Sequence, residues 1–319
     1  MARFADHLLQ VHRDDKDRLF AKFRYPDGDG PTVLAEGDSW FEYPMLKSDI
    51  LLELAKRYRI KSLAKAGDTW QRIEAQGELS KELESGHYDL VLVSMGGNDV
   101  VDEISSFVKV DDHKTAYRVG DFLLGHVFAV AVKKIVNHYR DLCRTIAERH
   151  GIDVIVSGYD YPDPRQPPLP GQEGEPGAHW IGPVLARENK LWHRRLWHEL
   201  THEAIRRLDA AMTRFADDFN REAVGKGWST RVTFVSQWDA VNEGDHRPDR
   251  GVANPKWNDE MHPTADGFRR MAARIAPVID AAWQRRRGAT TLIAAASAGA
   301  TPAVRVASAP TRGKGGKVA

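Results

Sequence analysis

The sequence predicts an α/β fold, a mainly parallel sheet covered by helices on both faces. Three observations carry this expectation. Short apolar runs alternate with longer helix-periodic stretches along most of the chain. The clearest run, Leu90-Val91-Leu92-Val93, is apolar at every position, as a strand buried on both faces requires. Successive runs also stop at glycine, at Gly37, Gly67, Gly96 and Gly158.

Taken in order, residues 4–23 read as an amphipathic helix with Leu8, Leu9, Val11, Leu19 and Phe20 on its apolar side. A turn-rich connector, 25–31, leads into a strand at Thr32-Val33-Leu34-Ala35. A helix over 48–57 has Ser48 or Asp49 as its N-cap. A second strand spans 60–66, and Asp68 or Thr69 caps a helix reaching about residue 84. The third strand, 88–95, stops at Gly96-Gly97-Asn98-Asp99. Residues 100–125 have mixed character and read as an insertion containing some helix. The stretch 127–150 is helical, with Gly151 closing it. A strand over 153–158 precedes a proline- and glycine-rich loop, 159–183. One long helix is expected over 185–223, a last strand over 231–235 and a last helix over 264–287. Beyond residue 290 the chain is rich in Ala, Thr, Ser, Gly and Pro with only basic charges, the composition of a disordered extension. The chain shows no internal repeat. It divides into an N-terminal helical extension (1–30), one α/β domain (31–288) and the tail (289–319).

Composition narrows the function classes. Lys and Arg (46) nearly balance Asp and Glu (45), so no global field points to nucleic acid or an anionic membrane. A single cysteine, Cys143, excludes an internal disulfide framework and fits a reducing compartment; its helical setting reads as a buried apolar position. The charged first twenty residues lack the apolar stretch of a signal peptide, and no run is long enough to span a bilayer. The expectation is a cytoplasmic protein acting on a small molecule, with oligomeric state left open.

Chemistry enters at Gly37-Asp38-Ser39. These are turn residues, but at the carboxyl end of a strand they place a hydroxyl where open α/β sheets bind ligands. A serine needs a base within hydrogen-bond reach. His262 is the candidate base, and Asp259, three positions before it, can fix its tautomer and stabilise the imidazolium. The backbone N–H groups of Ser39 and Gly67 and the side-chain amide of Asn98 can serve a tetrahedral oxyanion. A glycine at 67 also lets backbone approach substrate closely.

Gly37-Asp38-Ser39, the lone Gly67, Gly96-x-Asn98-Asp99 and Asp259-x-x-His262 together resemble the four ordered blocks of the SGNH (GDSL-type) hydrolase superfamily, over residues 32–285. The resemblance implies a three-layer α/β/α sandwich, flavodoxin-like. It implies Ser39 as nucleophile, Asp259 and His262 as its partners, and Ser39, Gly67 and Asn98 as the oxyanion hole. It further implies hydrolysis of carboxylic esters or thioesters without metal or organic cofactor. Two departures stand out. Trp40 occupies a position where the family signature usually has leucine, and 100–125 and 159–183 are longer than a minimal member needs, lengths suited to a lid or substrate pocket.

A competing motif is His198-Glu199-Leu200-Thr201-His202, which matches the zincin pattern and offers a zinc peptidase as the alternative, with Glu222 as an imaginable third ligand. Periodicity opposes it. Trp192, Leu196, Leu200, Ala204, Leu208, Phe215 and Phe219 mark one apolar face, and His198 and His202 fall away from it among charged neighbours, which predicts two solvent-exposed histidines. His179 and His193 read as ordinary polar positions. A non-catalytic binding module on the same fold is the other alternative. Trp40, Phe41 and Tyr43 suit either core packing or the wall of an acyl pocket, and Tyr159, Tyr161 and Trp180 flank the proline-rich loop.

Overall fold

Five parallel strands form one sheet in the order β2-β1-β3-β4-β5: β1 (Thr32–Gly37), β2 (Arg59–Ser62), β3 (Leu90–Ser94), β4 (Asp153–Ser157) and β5 (Val232–Val235). The structure is a computed structural model and describes residues 30–44, 48–110, 122–165, 180–191, 194–243 and 254–297. The register is regular: Val33 pairs with Leu90, Leu90 with Asp153, and Val154 with Val232. Every residue of β3 and β4 is buried, which is why their sequences are nearly continuous apolar runs. Each such aliphatic side chain removed from water contributes about 1.5–3 kcal/mol.

The helices among the described residues are α1 (Ile50–Ala55), α2 (Trp70–Gln76), α3 (Glu78–Ser85), α4 (Gly97–Asp102), α5 (Ile104–Phe107), α6 (Gly125–Arg149), α7 (Gly182–Arg187), α8 (Arg194–Lys226) and α9 (Ala265–Ser297). They layer on the sheet: α9 packs on α1 and on β3, β4 and β5, while α8 packs on α6 and β5. This is the expected α/β/α sandwich, and the 2-1-3-4-5 order is the flavodoxin-like one. Its switch point lies between β1 and β3, where ligands enter such sheets.

Several boundaries differ from expectation for local reasons. The helix expected to run to residue 84 is two, α2 and α3, because Gly77 adopts a left-handed φ of 59° between them. Neither Asp68 nor Thr69 caps α2 through its side chain. Instead the carboxylate of Asp99, distant in sequence, accepts the Trp70 N–H at 3.2 Å. The expected helix over 185–223 is likewise divided into α7 and α8, with Lys190 in a left-handed conformation and the buried Asn189 amide donating to Val108 O at 2.6 Å. The last helix continues to Ser297, so the alanine-rich beginning of the presumed tail carries on helically, as alanine's propensity favours. The N-terminal extension up to residue 29, the central parts of both long segments (111–121 and 166–179) and residues 298–319 lie outside the described residues, as do Trp192, His193 and His179. Cys143 is buried as expected.

One buried acid in β1 makes stability depend on pH. Glu36 is 3% exposed, and burial pushes its carboxyl up to about 8, opposed by the Gly37 N–H and reinforced by Asp68. The folded chain therefore holds the acid neutral where the unfolded chain ionises near pH 4.5. Its stabilising contribution is full below that pH and is lost as pH rises through about 8. Thermal unfolding between pH 5 and 9 should show a decline of roughly a few kcal/mol that is flattened in Glu36→Gln. An unchanged slope in the variant would refute this assignment.

Candidate active site

The turn that presents Ser39 is built by Asp38. Its N–H donates to Ser94 O at 3.2 Å, fastening the end of β1 to the end of β3. Its carbonyl accepts the Phe41 and Glu42 N–H groups, each at 3.0 Å. Its carboxylate accepts the Trp40 N–H at 3.0 Å and the Tyr159 hydroxyl at 2.6 Å. Burial nonetheless raises the Asp38 carboxyl to about 6, against those two hydrogen bonds. Every polar group of Asp38 is thus engaged in shaping the turn, which leaves Ser39 as the residue at its apex.

His262 arrives on a tight loop just before α9. Asn258 N–H donates to His262 O at 2.8 Å and Thr264 N–H to Lys256 O at 2.9 Å, closing the loop. Inside it, Asp259 Oδ1 accepts the Met261 and His262 N–H groups at 2.8 and 2.7 Å. Asp259 Oδ2 lies 2.9 Å from His262 Nδ1, and His262 Nε2 lies 2.7 Å from Ser39 Oγ. Residues 223 positions apart are therefore joined in one hydrogen-bonded chain, with Ser39, Asp259 and His262 only 6, 5 and 4% exposed. Burial raises the Asp259 carboxyl, but the hydrogen bond and charge of His262, with Tyr43 and Met261, outweigh it and hold the group below its usual range. An ionised, acceptor-only Asp259 requires the proton on Nδ1. That leaves the Nε2 lone pair for the serine hydroxyl.

Gly67 and Asn98 sit beside this chain. Asn98 Nδ2 donates to Asp68 O at 2.9 Å, which ties its amide to the loop carrying Gly67. One amide hydrogen is used in this way; the amide carries two. Gly67 has φ +78°, and nothing lies within 4 Å of where a Cβ would stand. Glycine is required there by its backbone conformation, and the space next to it is open to a ligand.

The sequence gave no sign of Tyr43's role. Its hydroxyl donates to Asp259 Oδ2 at 2.5 Å and accepts from Asn258 Nδ2 at 2.9 Å. Its ring stacks on His262, centroids 4.1 Å apart. Trp180 meets the same imidazole edge-on at 5.7 Å. Glu260 was also missed. Its carboxylate accepts the N–H groups of Arg165 at 2.6 Å, Ile181 at 2.8 Å and Gly182 at 2.9 Å. Burial raises its pKa against these bonds. No sequence motif marks either residue, because their partners come from remote segments.

The zincin residues are not brought into a ligand set. Glu199 pairs with Arg195 at 2.7 Å, and Glu222 receives two hydrogen bonds from Arg144 at 2.9 and 3.0 Å. Among the described residues, no group of three or more His, Cys, Asp or Glu side chains is arranged to hold a metal ion. The expectation of two solvent-exposed histidines is corrected. His198, at 16% side-chain exposure, lies 3.8 Å from Asp163, and His202 packs between Tyr161 and Trp238. The reason is that α8 is covered on that side by the segments following β4 and β5, so its buried surface is wider than one apolar stripe. Leu196, Leu200, Leu208, Phe215 and Phe219 are buried as their periodicity predicts.

No protein-family model and no curated protein matches the sequence. Among solved structures, the chain is similar to a variant of an acetyl-xylooligosaccharide esterase from Geobacillus Stearmophilus, with 14% identity, a TM-score of 0.46, and coverage of 81% of this chain and 96% of that one. It is also similar to an acetyl xylan esterase, AlAXEase, with 15% identity, a TM-score of 0.43, and coverage of 77% and 98% respectively. Among the described residues, no helix is long and apolar enough to cross a membrane. In the order of its sheet and the order of its four blocks, the chain resembles the SGNH hydrolases.

Proposed function

We propose that the protein is a serine hydrolase of carboxylic esters that works through an acyl-enzyme on Ser39. The observation that carries this reading is the buried chain from Ser39 Oγ to His262 Nε2, at 2.7 Å, and from Nδ1 to Asp259, at 2.9 Å. Ser39 Oγ bonds to the ester carbonyl carbon while its proton passes to Nε2. The oxyanion is held by the Ser39 and Gly67 N–H groups and the free hydrogen of the Asn98 amide. The tetrahedral intermediate collapses as the C–O bond to the alcohol breaks, and His262 gives the alcohol its proton. Water then attacks the acyl-enzyme by the same route, releasing the acid and restoring the Ser39 hydroxyl. Asp259 stays ionised throughout and stabilises the imidazolium. Each residue of this scheme is supplied by the chain, and a small-molecule ester is the partner it calls for.

Intact-mass analysis after treatment with a fluorophosphonate tests this. The wild type should gain one probe mass, while Ser39→Ala and His262→Ala gain none under the same conditions. Labelling of Ser39→Ala equal to wild type, or an unlabelled wild type, would overturn the reading.

A further inference from the structure

Beside the Ser39 turn a narrow slot runs between α4–α5 and α8, enclosing about 560 Å³ up to its mouth. Its mouth is formed by Asp38, Trp40, Asn98 and Met261, the immediate neighbours of the serine and the histidine and one oxyanion donor. Its walls are apolar: Val100, Val101 and Ile104 on one side, Ala204, Ile205 and Leu208 on the other. The wall residues of α8, with Thr201, recur at positions 201, 204, 205 and 208, one face of that helix. The slot shares Tyr159, Ile205 and Leu208 with a second apolar space of about 300 Å³ further in, reaching Met212 and Phe234.

The few polar groups on the lining are already satisfied within the chain. Asp38 is taken by Trp40 N–H and Tyr159, Asp160 accepts the N–H groups of Tyr161, Asp239, Val241 and Asn242, and the Thr201 hydroxyl donates to His198 O. The Asn98 amide is left with one hydrogen, and it stands at the mouth. A sugar or other polyol placed in the slot would lose its hydration and meet no open partner. A hydrocarbon chain meets a surface that matches it.

From this geometry we infer that the slot is the acyl site and that the substrate is the ester of a straight, medium-chain fatty acid. The inference rests on the ester-hydrolase reading of Ser39 and deepens it. With each chain atom taking about the volume of a water molecule, ~30 Å³, an eight-carbon chain occupies about 240 Å³ and fits the slot without entering the second space. Tyr159, Ile205 and Leu208 then stand where longer chains stop.

The test is kcat/KM across p-nitrophenyl esters from acetate to dodecanoate. The wild type should gain roughly threefold per added methylene up to about octanoate and then level off. Ala204→Phe should abolish the gain beyond butyrate while leaving acetate hydrolysis within about twofold of wild type. Ile205→Ala, which opens the partition, should move the plateau to longer chains, and it keeps the test alive if Ala204→Phe does not fold. A flat or acetate-centred profile in an enzyme whose Ser39 is labelled by fluorophosphonate would overturn the acyl-site inference alone. No hydrolysis of any ester and no labelling would overturn it together with the reading beneath it.

Discussion

Replacing His262 by alanine lowers kcat/KM for a short-chain ester by about 10⁴- to 10⁶-fold, and Ser39→Ala does the same, with the double variant no worse than either. The non-additivity is the informative part. Nε2 and Oγ are 2.7 Å apart and form one proton-transfer unit, so removing either end removes the whole of it. Melting temperatures should change little, because the loop that holds His262 is closed by backbone bonds from Asn258 and Thr264. Steady-state kinetics of the three variants beside the wild type check this. Losses that multiply in the double variant would mean that the two side chains act independently, which this geometry forbids.

The second large effect is expected from Asp259→Asn, a loss of about 10⁴ in kcat with the fold intact. Asparagine can keep the two backbone contacts from Met261 and His262 that the Oδ1 atom of Asp259 receives. Its amide, however, donates toward Nδ1, which drives the imidazole to the tautomer with hydrogen on Nε2, and that nitrogen can no longer accept the serine proton. Tyr43→Phe makes the instructive contrast. It retains the ring stacked at 4.1 Å on His262 and deletes only the donor to Asp259 Oδ2. Asp259 then loses one of the contacts holding it ionised, so the acid limb of the pH–rate profile moves upward while the loss at neutral pH stays near tenfold. A Tyr43→Phe profile superimposable on wild type would reduce Tyr43 to a packing residue.

What the amino-acid sequence discloses is governed by how local the causes are. β3 and β4 are legible because burial on both faces leaves no polar position in either run between Leu90 and Val93 or between Val154 and Val156. The candidate site is legible because each block is short and ends a strand or precedes a helix. The break at Gly77 was missed because a glycine within a helix-periodic stretch reads as tolerated. The division of the long helix near residue 190 depends on Asn189 reaching the carbonyls of Ser105 and Val108, more than eighty positions away. Tyr43 is the extreme case, since its partner Asp259 is 216 positions distant and nothing about a lone tyrosine announces a carboxylate. The error over His198 and His202 has a different origin. Helical periodicity identifies the most apolar face, but it is silent on how far neighbouring loops extend the buried surface around the cylinder.

Glu260 binds three backbone amides from the segments on either side of α7's beginning and stands between Asp259 and Met261 in the chain. Its backbone carbonyl also accepts the Asp163 N–H at 2.8 Å. The strap after β4, the first turn of α7 and the loop bearing the base are thereby one lever with a single fulcrum. A displacement of the strap large enough to break these bonds releases the histidine loop from its backing at the same stroke, so uncovering the serine and disarming it are mechanically the same movement.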